Sequence, residues 1–126
     1  MNIKRLICLC VFLSVVCISK SFAQENKWIL FLKDTDKLEY YYDSSTIKFT
    51  DNYIEVWYRV DNYSPDVERQ TGLVRIYCKK KEALIIRDVI YYTDRTKSTD
   101  DYPRGKSRIP LTSNSLLDYL SKAICN

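Results

Sequence analysis

Tyr53-Ile54-Glu55-Val56-Trp57-Tyr58-Arg59-Val60 is the stretch that decides the fold. Ile54, Val56, Tyr58 and Val60 alternate with Tyr53, Glu55, Trp57 and Arg59, a period of two that puts each set on one face of a strand. The even-numbered set is the more apolar and is read as the core face. The odd-numbered set then forms an outward stripe, and because aromatic and arginine side chains anchor many protein interfaces, Tyr53, Trp57 and Arg59 become candidate protein-binding residues. Two other readings stand beside this one. Neighbouring strands and loops cover Trp57, or the assignment is reversed, with Trp57 buried and the even face exposed.

Working outward, residues 28–33 read as a first strand, Asp34-Thr35-Asp36 as a turn, and residues 38–42 and 46–49 as short strands separated by Asp43-Ser44-Ser45. Beyond Val60, the polar run 61–71 with Pro65 reads as a loop. Residues 73–79 form a strand, Lys80-Lys81-Glu82 a tight turn and residues 83–93 another strand. Short connections between adjacent strands favour an antiparallel meander. Leu84, Ile86 and Ile90 share parity with Asp88, so a regular strand would bury a carboxylate, and a bulge or edge position is expected near Arg87-Asp88. Residues 93–106 read as a 14-residue loop. Pro110 with Thr112 or Ser113 marks a helix start, and residues 113–124 place Leu116, Leu117, Leu120, Ala123 and Ile124 on an arc of about 120 degrees, a helix that covers the sheet.

The chain has 126 residues, enough for one hydrophobic core. Residues 1–23 have the order of a secretory signal: Lys4 and Arg5, a 13-residue stretch from Leu6 to Ile18 broken only by Ser14, then Ser21-Phe22-Ala23. Cleavage is expected after Ala23, leaving residues 24–126 as one exported domain. A membrane span needs about 20 apolar residues, so the mature chain is expected to have no transmembrane anchor. Cys17 follows Ser14-Val15-Val16, and bulky Val16 occupies the place where a lipid-attachment signal carries a small residue. Cleavage removes Lys4, Arg5 and Lys20 from the 20 basic residues, which leaves 17 against 16 acidic ones and a net charge of +1. It also removes Cys8, Cys10 and Cys17.

Cys78 and Cys125 remain, and in an oxidising compartment one disulfide between them is the default. Val74, Ile76 and Cys78 share the apolar face of their strand. Continued helical geometry would carry Cys125 roughly 140 degrees from the middle of the apolar arc. The helix is therefore expected to end near 123–125, so that the sulfur turns back toward Cys78.

The chain contains no histidine, the commonest general base near neutral pH and the usual nitrogen ligand of zinc. Asp34 and Asp36, with Asp43, read as turn aspartates rather than cation ligands, and Asp100-Asp101 as solvated loop residues. No catalytic, cofactor-binding or metal residue is expected. Lys79-Lys80-Lys81 reads as a solvated turn. Arg95, Lys97, Arg104, Lys106 and Arg108 form a basic cluster diluted by Asp94, Asp100 and Asp101, suited to a protein partner with an acidic surface. Export and the small net charge argue against nucleic acid. The 11 tyrosines suit a half-buried sheet.

Trp28, Tyr41-Tyr42-Asp43 followed by Ser45-Thr46-Ile47, the strand Val56-Trp57-Tyr58-Arg59, Tyr77-Cys78, Tyr91-Tyr92, Gly105 and the segment from Ile109-Pro110 to Cys125 together resemble the bacterial surface-adhesin protein E family. The likeness covers essentially the whole mature chain. It implies an α+β fold, a six-stranded antiparallel sheet with a C-terminal helix packed on its concave face and held there by a disulfide. It also implies a small exported protein of a Gram-negative bacterium, the namesake being an outer-membrane lipoprotein that binds host extracellular-matrix and serum proteins. The chain departs from that pattern at its lipid signal. The expected function is a non-enzymatic protein-binding module, periplasmic, secreted or displayed on the outer membrane. The alternative is a periplasmic structural or envelope-accessory protein with bacterial partners. A carboxylate-dependent hydrolase is a third reading, for which no paired-acid geometry can be drawn.

Overall fold

In the computed structural model, residues 26–35 and 37–125 are described. The expected signal segment 1–23, its cleavage site and Cys8, Cys10 and Cys17 lie outside the described residues. Among the described residues, eight strands precede one helix: β1 (Trp28–Lys33), β2 (Glu39–Asp43), β3 (Lys48–Phe49), β4 (Ile54–Ser64), β5 (Val67–Tyr77), β6 (Glu82–Tyr92), β7 (Lys97–Asp101), β8 (Arg108–Pro110) and α1 (Leu116–Ile124). Every pairing is antiparallel.

The strands run in the order β1-β2-β4-β5-β6-β7, with β3 on β4 and β8 on β6. This corrects the expected six strands to eight. The three long strands β4, β5 and β6 form the centre, and each flanking lane is shared by two shorter ones. β2 pairs with residues 58–61 of β4 while β3 takes residues 54–55. β7 pairs with residues 87–91 of β6 while β8 takes residues 82–84.

Three further expectations change. Residues 61–71 are not a loop, since β4 runs to Ser64 and β5 begins at Val67. Asp61, Arg69 and Thr71 sit on the face away from the core, so backbone pairing such as Asp61↔Arg69 continues without an apolar signal. Residues 93–106 are not one loop, because the chain turns back through Arg95, at φ 70, into β7. All five residues of β7 are exposed, which leaves no hydrophobic alternation to read. The helix starts later than Thr112 or Ser113. Ser115 is its N-cap, accepting a hydrogen bond from the Asp118 amide at 3.2 Å, and Pro110 belongs to β8.

The even-numbered face of β4 is the core face, as its alternation predicts: Val56, Tyr58 and Val60 are 0%, 6% and 4% exposed. Val74 and Ile76 of β5, Ala83 of β6 and Leu120 of α1 complete the buried cluster. Leu116, Leu117 and Ile124 pack around it from the helix. The helix ends at Ile124, and Cys125, its C-cap, bonds Cys78 with the two Cα atoms 5.8 Å apart. The expected bulge is present. Val74 opposes Ile85 and Leu73 opposes Arg87, which leaves Ile86 as the extra residue. Asp88 stays on the helix side opposite Gly72 and is half-buried. Burial raises its carboxyl pKa, partly offset by Lys106.

Asp43 is the buried polar anchor of the β2–β3 turn, 2% exposed. Its carboxylate accepts four hydrogen bonds, from the amides of Lys27 (3.1 Å) and Ser45 (3.0 Å) and from Ser45 Oγ (2.6 Å) and Thr46 Oγ1 (2.9 Å). Burial alone would raise its pKa, but these donors outweigh it and hold the carboxyl below its ordinary value. The corresponding stability is fully present above the unfolded pKa of about 3.9 and is lost as pH falls from there through the depressed folded value. Asp43→Asn should therefore cost about 2 kcal/mol at pH 7, with the gap to wild type closing below pH 4. Urea unfolding across that range measures it, and a gap constant with pH would exclude the carboxylate as the cause.

Candidate functional site

The face of β4 that turns away from the core carries Trp57 and Arg59. Cross-strand pairing extends it in rows: Arg59, Thr71, Val89 and Thr99 in one, Trp57, Leu73, Arg87 and Asp101 in the next, and Asp61, Arg69, Tyr91 and Lys97 in a third. Trp28 and Asp43, paired with each other across β1 and β2, close one side. Twelve of these side chains, with Asn26 and Thr46, line an open groove of about 560 Å³. The bulge at Ile86 makes this composition possible. Ala83 and Ile85 face the core, and the extra residue sends Arg87, Val89 and Tyr91 to the groove instead of beneath α1.

Two of the groove's arginines lie over aromatic rings. The Arg59 guanidinium carbon lies 4.5 Å from the centroid of Tyr41 and 4.9 Å from that of Trp28, and the side chain donates to Asp61 through Nη2 at 3.1 Å. The Arg69 carbon lies 4.2 Å over Tyr91. Cation–π attraction holds these long side chains in one orientation. Arg87 is ion-paired with Asp101. Arg69 and Lys97 have no carboxylate within ion-pair distance among the described residues. Asp61 and Glu68 sit with Arg59 and Arg69 around a smaller hollow of about 240 Å³.

The candidate residues are only partly brought together. Trp57, Arg59 and Lys97 share the groove. Tyr53 faces a separate hollow of about 420 Å³ with Tyr77, Lys79, Lys80 and Arg108. There its ring lies 5.6 Å from that of Tyr77, with the Arg75 guanidinium 4.7 Å above it. Arg95 sits in the β6–β7 turn, and Arg104 and Lys106 follow β7, where Lys106 lies over Tyr102. The expected basic cluster of Arg95, Lys97, Arg104 and Lys106 is therefore divided, because β7 sends Lys97 across the sheet and the turn and loop carry the rest elsewhere. Trp57 is half-buried by its neighbours yet still lines the groove.

Sequence reasoning missed Trp28, Arg69, Arg87 and Tyr91 as site residues. Val67, Arg69 and Thr71 alternate with Glu68 and Gln70, a period-two signal inside the segment taken for a loop. Arg87 and Tyr91 carried no usable signal, since their face depends on the position of the bulge.

The groove is rich in donors. Arg69, Lys97, Trp28, Trp57, Thr71 and Thr99, whose side chains all carry donors, line it, whereas the Asp43 carboxylate is filled by its four donors and Asp101 is engaged by Arg87. Such a wall can bind and orient an acceptor-rich partner. Among the described residues no group of three or more Cys, Asp or Glu side chains is arranged to hold a metal ion, and no helix is long and apolar enough to cross a membrane. No protein-family model, curated protein or solved structure matches the chain.

Proposed function

We propose that the chain is an exported, non-enzymatic protein-binding module of the protein E type, and that the groove opposite α1 is its partner-binding surface. The observation that carries this reading is the set of tryptophan, tyrosine and arginine side chains fixed against one another along the groove. These residue types supply most hot-spot energy at protein interfaces, and their mutual stacking lowers the entropy cost of ordering them on binding. The signal-like residues 1–23 and the Cys78–Cys125 disulfide both suit an oxidising compartment. Adhesion to host matrix or serum proteins follows from the family resemblance. A periplasmic envelope-accessory role with bacterial partners is favoured by Val16, which weakens the lipid-attachment pattern at Cys17.

Cell fractionation combined with protease treatment of intact cells separates the two roles. Digestion on intact cells supports adhesion, while a soluble, protease-shielded product with a mature start at Gln24 supports the envelope role and excludes direct host contact. Binding of immobilised chain to purified matrix proteins and to envelope fractions then tests the surface. Trp57→Ala should weaken the captured partner about 30-fold, equivalent to about 2 kcal/mol, while melting like wild type. Unchanged affinity in a folded Trp57→Ala protein would remove the groove from the function.

A further inference from the structure

We infer that the groove takes an extended acidic peptide segment, with carboxylates of the partner received by Arg69 and Lys97. This rests on the protein-binding reading and narrows it to one ligand chemistry. Among the described residues, four cations, Arg59, Arg69, Arg87 and Lys97, line the groove against two carboxylates, Asp43 and Asp101, and both carboxylates are already engaged. Arg59 and Arg87 have acidic partners of their own. The unspent charge is therefore on Arg69 and Lys97, which flank Tyr91 in a single cross-strand row.

Adjacent strands lie about 4.8 Å apart, so the β5 and β7 backbones that carry these two cations are separated by roughly 10 Å. Carboxylates two residues apart on one side of an extended chain are spaced by about 6.8 Å, and the reach of glutamate and lysine side chains spans the difference. Arg69, pinned on Tyr91, presents a planar fork that matches a carboxylate with two parallel hydrogen bonds. Asp61 and Glu68 beside Arg59 and Arg69 repel an acidic chain at that end, which directs it toward Lys97 and Thr99.

Both tryptophans of the chain, Trp28 and Trp57, line the groove, so intrinsic fluorescence reports its occupancy directly. The disulfide-intact chain is titrated with an eight-residue peptide of alternating glutamate and serine, with glutamine–serine and lysine–serine peptides of the same length, and with heparin. The expected result is a saturable emission change with the glutamate peptide alone. Arg69→Gln and Lys97→Gln should each weaken it about tenfold, and Arg104→Gln, outside the groove, should leave it unchanged. Affinity should fall steeply between low salt and about 0.5 M salt. Equal binding of the glutamine or lysine peptide overturns the acidic preference and leaves the protein-binding reading standing. A response to heparin alone overturns both. No response to any probe overturns the acidic segment, and the Trp57→Ala capture experiment then decides the broader reading independently.

Discussion

Reduction of the Cys78–Cys125 disulfide is expected to lower the unfolding free energy by about 4 kcal/mol, with the loss concentrated in α1. The bond joins residues 47 apart in sequence, and closing a loop of that length in the unfolded chain costs roughly that amount in the chain-entropy treatment. For a domain of this size it is a large share of a total stability of about 5–15 kcal/mol. The locality has a separate cause. α1 has nine residues, too few to persist alone in water, and it is held by Leu120 and its neighbours on one side and by the C-terminal sulfur on the other. The sheet, by contrast, keeps its long central ladders. Hydrogen exchange on oxidised and reduced protein should show α1 amides losing far more protection than those of β4 and β5. Equal losses in helix and sheet would sink the claim. The Cys78→Ser/Cys125→Ser protein controls for chemical effects of the reductant.

Gly72→Val should destabilise the fold by about 3 kcal/mol, the upper end of the usual penalty for overpacking. Gly72 lies at the centre of β5, opposite Tyr58 on one side and Asp88 on the other. The Tyr58 ring crosses over it, so that even a Cβ there would stand 2.6 Å from two ring atoms and 2.7 Å from the hydroxyl. Tyr58 is 6% exposed, and close packing in a protein interior resists displacement of its ring. Its placement also affects its chemistry, since burial, assisted by Asp88, pushes the phenol pKa up to about 12. Shortening the opposing side chain should relieve the clash. Tyr58→Leu in the Gly72→Val background is expected to recover at least 1 kcal/mol relative to the sum of the single changes. Strict additivity would show that the cost of valine arises elsewhere.

The parts of the molecule legible in its sequence are those where burial imposes a pattern. The even face of β4 and the covering arc of α1 followed from apolar spacing, because each of those faces is enclosed, and the return of Cys125 to Cys78 followed from their being the two cysteines of the expected exported domain. The hairpin through Pro65 and Asp66 and the strand β7 escaped, because their residues face the groove or solvent and backbone pairing leaves no compositional trace there. The same limit divided the site. Trp57 and Arg59 were visible on a strand whose phase was clear. Arg69 was hidden in a polar run, and Arg87 and Tyr91 depended on a register shift whose neighbourhood the Asp88 parity indicated but whose residue, Ile86, it did not.

Ile86 thus makes β6 two surfaces written in different phase on one strand. Before it, odd-numbered positions answer to the packing of α1, and after it they answer to whatever occupies the groove. Substitutions at Arg87, Val89 or Tyr91 can retune the partner surface without touching the helix contacts, and repacking at Ala83 or Ile85 leaves the groove's chemistry alone. Drawing Ile86 into the ladder, with no residue left over, would exchange the two duties, sending Arg87 toward the helix and Ile90 into the groove. One unpaired residue therefore lets recognition and stability drift independently along the same strand.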